Sequence, residues 1–187
     1  STNNLPIPAV YSDKSISAIN QPLIIKPTDA FSGKGITVIT NSNKEYLNTA
    51  ISDAIFNSRS KSYLIEEYVK GQLHSHSAFL SNGAIIQDFF VEEMCVANPF
   101  AVDTSRVVNN LNDNIATAIR DAIGVIASKL NLVDGLIHTQ FICNENSVWL
   151  IEPTRRCPGD LYSRLIELST GFNYAENYTR PFLGLAY

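Results

Sequence analysis

Between Leu73 and Val91 two apolar runs, Leu73–Leu80 and Ala84–Val91, are separated by Ser81-Asn82-Gly83. Asn and Gly both tolerate the positive φ of a tight turn, so this stretch folds back as two antiparallel strands. A second pair of apolar runs, Gly135–Cys143 and Val148–Pro153, repeats the arrangement around Asn144-Glu145-Asn146. Between the hairpins, residues 112–130 place Ile115, Ile119, Ala122, Ile126 and Leu130 at helical spacing. Helices that alternate with hairpins, not with single strands, specify an α+β fold and not a doubly wound parallel sheet.

The remainder of the chain fits that class. Leu5-Pro6-Ile7-Pro8-Ala9-Val10 is extended, since each proline biases its predecessor away from helix. A short strand, Leu23–Lys26, closes at Pro27; a loop from Thr28 to Gly35 leads to a strand at Ile36–Ile39. Residues 44–57 form an amphipathic helix with Leu47, Ile51, Ala54 and Ile55 on one face and Asn43 as N-cap. Tyr63–Glu67 is a strand, and Leu161–Ser169 a helix that Gly171 stops in the left-handed C′ position. Residues 92–110 show no period and read as a long loop.

Composition removes several function classes. The 187 residues are 45% hydrophobic and 17% charged, enough apolar material for a packed core. Net charge is −4, and the 14 Lys and Arg form no run, which argues against a nucleic-acid partner. No apolar stretch approaches the roughly 20 residues that span a bilayer, so no membrane partner is expected. Cys95, Cys143 and Cys157 lie far apart without a CxxC pair. This excludes a disulfide framework and a zinc site, reads each thiol as a buried apolar group, and points to a reducing cytoplasm.

Three groups of residues carry chemistry. The first is Lys26 followed by Ser32-Gly33-Lys34-Gly35. Glycines let backbone N–H groups approach phosphate oxygens, and the lysines neutralise charge. This is not a Walker A motif, because a β-rich stretch follows the glycines where a helix would be required; a plain turn with solvated lysines fits as well. The second is Tyr63-Leu64-Ile65-Glu66-Glu67-Tyr68-Val69-Lys70-Gly71, an apolar strand ending in carboxylates and a glycine, as in a hinge offering backbone groups to a purine edge. Two exposed glutamates at a strand end are the alternative. The third is His138-Thr139-Gln140 with Glu152-Pro153-Thr154-Arg155-Arg156. A three-residue turn at 144–146 sets Gln140 opposite Leu150 and His138 opposite Glu152, and puts His138, Gln140 and Glu152 on one sheet face. Hard oxygens beside Arg156 suit a Mg2+ ion bridging phosphates; an exposed polar face is the alternative.

Taken in order, Pro22-Leu23-Ile24-Ile25-Lys26-Pro27, Ser32-Gly33-Lys34-Gly35, Glu66-Glu67-Tyr68-Val69-Lys70-Gly71, Gln140 and Glu152-Pro153-Thr154-Arg155-Arg156 resemble the ATP-grasp superfamily. The resemblance runs from about Ile7 to Leu185. It implies two lobes, each an antiparallel sheet with helices and with ATP between them: a small lobe over residues 1–67 and a large lobe over 68–187. By this resemblance Lys26, Ser32, Gly33, Lys34 and Gly35 bind the phosphates, with Gly33 to Gly35 a mobile lid. Glu66 and the backbones of Glu67 and Val69 hold the adenine, and His74 lies near the ribose. Gln140 and Glu152 hold Mg2+ or Mn2+, and Arg156, with Lys26, stabilises the transferring phosphoryl group.

The implied activity joins a small-molecule carboxylate to an amine through an acyl phosphate. Gln140 stands where many members carry Glu, although carbamoyl-phosphate synthetases also use Gln there, and Thr154 replaces the usual Asn; both imply a weaker hold on one metal ion. The family places substrate contacts in the stretch that holds Asn98-Pro99-Phe100 and Arg106. Members also carry an N-terminal domain on the order of a hundred residues, so the chain is expected to be a piece lacking that domain and inactive alone. A homodimer is compatible with the resemblance. Two rival readings are a nucleotide-binding regulatory or structural module without ligase activity, and a metal hydrolase using His74, His76 and His138.

Overall fold

A computed structural model of the chain describes residues 4–13, 21–40, 44–145 and 147–187. The proposed N-cap Asn43 and the turn residue Asn146 lie outside the described residues. The chain divides into two compact units that are not contiguous in sequence. The smaller comprises Pro8–Val69 and Cys95–Asp103; the larger comprises the residues up to Ile7, Lys70–Met94 and Thr104–Tyr187.

In the smaller unit, β1 (Val10–Tyr11), β2 (Leu23–Pro27), β3 (Thr37–Ile39) and β4 (Tyr63–Glu67) form an antiparallel sheet in the order β1-β4-β2-β3. Helix α1 (Lys44–Asn57) packs on it through Ala50 and Ala54, with Leu47 and Ile51 beside them. Small residues at the contact bring the helix close to Leu23, Ile25 and Ile65, which alternate onto one sheet face. The expected helix is therefore present, with Leu47, Ile51 and Ala54 of its expected face in this core; Ile55 is not part of it.

The larger unit is built on five antiparallel strands in the order β7-β6-β5-β8-β9. These are β5 (Gln72–Ser81), β6 (Ala84–Met94), β7 (Thr104–Val108), β8 (Gly135–Cys143) and β9 (Val148–Thr154). The β5–β6 turn has Asn82 at φ 51° and Gly83 at φ 78°, the positive pair anticipated from Asn-Gly. Gly71 enters β5 so close to the Cys143 backbone that any side chain would collide with the carbonyl. Helix α2 (Asp113–Lys129) covers one sheet face through Ile119, Ile123 and Ile126, packed on Ala78, Leu80, Phe90, Ile137 and Phe141. Its N-cap Asn112 accepts from the Asn114 N–H at 2.9 Å. On the other face, α3 (Tyr162–Thr170) and α4 (Tyr174–Thr179) bury Tyr162, Ile166 and Tyr174 against Phe79, Phe89, Val91 and Leu136. Gly171 closes α3 at φ 75°, and a single 3-10 turn follows at Arg180–Leu183.

Three expectations are corrected. Residues 92–110 are not one loop: β6 runs on to Met94, and Thr104–Val108 pairs with it as an edge strand. Leu130 is the C-cap of α2 and 66% exposed, so it is not part of the buried face. The second hairpin closes at Cys143 and Val148, with Asn144 N–H on the Ser147 carbonyl, which is a longer turn than the three residues expected. Of the thiols only Cys143 is buried; Cys95 and Cys157 are half-buried, and none of the three forms a disulfide. Among the described residues, no helix is long and apolar enough to cross a membrane.

A charged clamp fastens β5, β6 and α2. His76 is fully buried and its Nε2 donates to Asp88 at 2.9 Å, while Arg120 donates to both Asp88 oxygens at 2.6 and 3.2 Å. Burial pushes the Asp88 carboxyl up, but the bonds and charge from His76 and Arg120 outweigh it and hold the group at about 2. Its folded value lies below the ordinary 3.8, so its contribution is full above about pH 4 and lost as pH falls through 2. The shift corresponds to about 2 kcal/mol. Asp88→Asn should lower the urea midpoint at pH 7, and the wild-type advantage should shrink as pH falls from about 4 towards 2; an advantage constant over that range contradicts the assignment.

Candidate functional site

In the smaller unit, β2 and β4 pair Ile24 with Glu66 and Lys26 with Leu64. Ile25 and Ile65 point to α1, which leaves Ile24, Lys26, Leu64 and Glu66 on the opposite face. There Lys26 Nζ and Glu66 Oε2 form an ion pair at 2.5 Å, both side chains mostly covered. The ammonium has two further protons and the carboxylate a second oxygen, so the pair can still engage a polar ligand. Beyond it, Glu67 N–H donates to Ala9 O at 2.8 Å and Tyr68 N–H to Pro22 O at 3.0 Å. The Glu67 carboxylate accepts from Ala9 N–H at 3.4 Å. Val69 N–H has no hydrogen-bond partner among the described residues.

The glycine loop has a fixed foot. Asp29 accepts from Ser58 Oγ at 2.7 Å, Arg59 N–H at 3.0 Å and Ser60 N–H at 2.8 Å, which ties the loop to the end of α1. The bond from Ser58, with those from Ser60 and Arg59, holds its carboxyl down at about 2 against a smaller push from burial. Ser32, Gly33 and Gly35 then take φ of 55°, 71° and 72°. Gly33 lies against the segment Cys95–Asp103: a Cβ there would meet Phe100 Cβ at 2.7 Å and its carbonyl oxygen at 3.0 Å. That segment is shaped by Asp103, which accepts from Val96 N–H and Ala97 N–H at 2.7 and 2.8 Å. Lys34 is exposed, with Nζ 4.7 Å above the Phe31 ring.

In the larger unit, β8 and β9 do not pair as the short turn implied. A register shift after Gln140 makes Ile151 the extra residue of a β-bulge, so Gln140 stands directly opposite Glu152, and His138 opposite Thr154. Opposed residues on one sheet face have Cβ atoms about 5 Å apart. Gln140 and Glu152 are thus brought together more directly than expected. Glu152 is exposed and has no partner among the described residues. Gln140 Nε2 donates to Glu93 Oε2 at 2.8 Å. Glu93 is buried, and burial raises its carboxyl above the ordinary range despite bonds from Ser75 and Gln140. His138 contacts Ser77 Oγ through Nδ1 at 2.9 Å and is held down at about 4 by burial and by the nearby charge of Arg156. Arg156 is exposed and donates to the Cys157 carbonyl.

Other expected residues fall elsewhere. His74 and His76 alternate with Ser75 and Ser77 and point to the α2 face, where His74 stacks on Phe141 and meets Cys143 Sγ at 3.5 Å. The structure therefore does not bring His74 to Gln140, nor the three histidines to one point. Among the described residues no group of three or more His, Cys, Asp or Glu converges as a metal site. Arg106 is paired with Glu92 across β6 and β7. Glu93 was missed because Glu92-Glu93 looks like the polar end of a strand. Its parity with Phe89 and Val91, both buried in one cluster, is the signal that would have found it.

The profile of the ATP-grasp domain matches residues 19–163. The chain belongs to the ATP-grasp family. No curated protein sequence matches it. Solved structures share its α+β fold: the biotin carboxylase domain of Hydrogenobacter thermophilus 2-oxoglutarate carboxylase aligns with a TM-score of 0.79 at 15% identity over 100% of this chain and 44% of that one. D-alanyl-alanine synthetase A of Vibrio cholerae gives 0.73 at 16% identity over 98% and 60%. Phosphoribosylglycinamide synthetase of Anaerococcus prevotii gives 0.69 at 16% over 98% and 47%. This ATP-grasp chain thus spans about half the length of these proteins.

Gly33→Ala should destabilise the smaller unit by at least about 1 kcal/mol, because it adds a left-handed strain to a clash with Phe100. Equilibrium denaturation checks this. The double variant with Phe100→Ala should regain only part of the loss; full recovery would mean the φ carries no cost.

Proposed function

We propose that this chain binds Mg-ATP and forms the core of a ligase that joins a small-molecule carboxylate to an amine or similar nucleophile through an acyl phosphate. Membership of the ATP-grasp family supports the nucleotide. The biotin carboxylase domain it resembles was solved with ADP, its magnesium salt and bicarbonate. The observation that carries the reading is the register of β8 and β9, which opposes Gln140 to Glu152.

In this reading Lys26 and the Ser32 to Gly35 loop receive the phosphates, Lys34 adds charge, and Glu66 with the Val69 N–H receives the adenine edge. Gln140 Oε1 and the Glu152 carboxylate are hard oxygens that fit Mg2+, or Mn2+, completed by phosphate oxygens and water. The ion would neutralise phosphate charge. Arg156, which pairs with no carboxylate among the described residues, is suited to the phosphoryl group in flight. Closure of the glycine loop would keep water from an acyl phosphate. The substrates, a preceding domain and a homodimeric state belong to the same proposal.

Lys26→Ala should weaken ATP binding at least about tenfold by calorimetry with Mg2+, in keeping with loss of a charge-assisted bond. Glu152→Ala should abolish ATP turnover by the whole protein while leaving its melting temperature within a few degrees. Turnover unchanged by Glu152→Ala sinks the metal assignment. A screen of phosphate release against paired carboxylates and amines separates the ligase from a binding-only module, which would bind ATP and release none.

A further inference from the structure

Gln140 is gripped from behind. Its Nε2 donates at 2.8 Å to Glu93 of strand β6, and Glu93 is 5% exposed and also bonded by the Ser75 side chain. A carboxylate only accepts, so the Gln140 amide has to turn its NH2 toward Glu93 and its Oε1 away from it. The residue opposite Gln140 on the hairpin is Glu152, exposed and without a partner among the described residues. We propose that Glu93 is a positioning residue: its buried carboxylate fixes the Gln140 amide so that Oε1 and the Glu152 carboxylate form one oxygen pair for the divalent cation of a bound nucleotide. This rests on the nucleotide reading above.

The same contact decides which residue position 140 accepts. An amide donates to Glu93, whereas a glutamate there would set two carboxylates at 2.8 Å, where like charges repel strongly in a desolvated setting. Added negative charge at a cation site would ordinarily tighten binding. Here it breaks the support of the ligand that carries it.

The test measures Mn2+ binding by electron paramagnetic resonance with saturating ADP, alongside ADP binding in EDTA. Glu93→Gln keeps the shape but lets the Gln140 amide turn either way, and should weaken Mn2+ about tenfold with metal-free ADP affinity unchanged. Gln140→Glu alone should bind Mn2+ more weakly than wild type and melt lower. The exchanged pair, Glu93→Gln with Gln140→Glu, should return within about threefold of wild-type Mn2+ affinity, because Gln at 93 can donate to the new carboxylate. The proposal is overturned by wild-type Mn2+ affinity in Glu93→Gln, by tighter Mn2+ in Gln140→Glu, or by an exchanged pair that fails to fold or binds no better than the weaker single variant. Wild-type protein that binds no ADP under either condition refutes the nucleotide reading, and this proposal with it.

Discussion

A strand buried on both faces must find a partner for each polar side chain it carries, and β5 is such a strand. From His74 to Leu80 every residue is buried, and four of the seven are Ser or His. The cost of an unpaired buried polar group, about 1–3 kcal/mol, dictates what surrounds them. Ser75 meets the Tyr162 hydroxyl, His76 meets Asp88, and Ser77 meets His138 and the Tyr174 hydroxyl. Helices α3 and α4 therefore supply tyrosines on one side, while α2 answers Asp88 with Arg120 on the other. The accounting is nearly complete: His76 Nδ1 and Thr139 Oγ1, opposite one another across β5 and β8, are the exceptions in the sheet.

The proposed site residues of the larger unit grow out of this strand. Ser75 and Gln140 are opposed across β5 and β8, and both bond Glu93. The polar interior thus ends at the hairpin where Gln140 faces Glu152. In the smaller unit the solution differs, since its core is apolar and its charges, Lys26 and Glu66, sit on the sheet face away from α1.

Much of the architecture was legible in the sequence for local reasons. Asn82-Gly83 permits little but a tight turn, the periods of α1 and α2 were uninterrupted, and Gly171 marked a left-handed stop. Strand β7 was not legible, because Thr104–Val108 is a half-exposed edge whose sequence, Thr-Ser-Arg-Val-Val, has no polar–apolar alternation. The β8–β9 register was not legible either. A bulge depends on the packing of Leu150 and Phe141 in the core, not on a turn residue, and it moved Glu152 to face Gln140 in place of His138. Glu93 required knowing that β6 continues, which only its pairing with β7 establishes.

The hold on Asp29 gives the glycine loop a mechanical character. Three donors from residues 58–60 grip one carboxylate, and Thr28 N–H is bonded to the Ser62 carbonyl beside it. If the loop closes as proposed, it works as a lever with a clamped base: a swing would pivot beyond Asp29, through the left-handed residues at 32, 33 and 35. Lengthening the chain between Ala30 and Ile36 would alter the reach of that lever without loosening its mount. Removing the Asp29 carboxylate would free the mount and leave the reach unchanged.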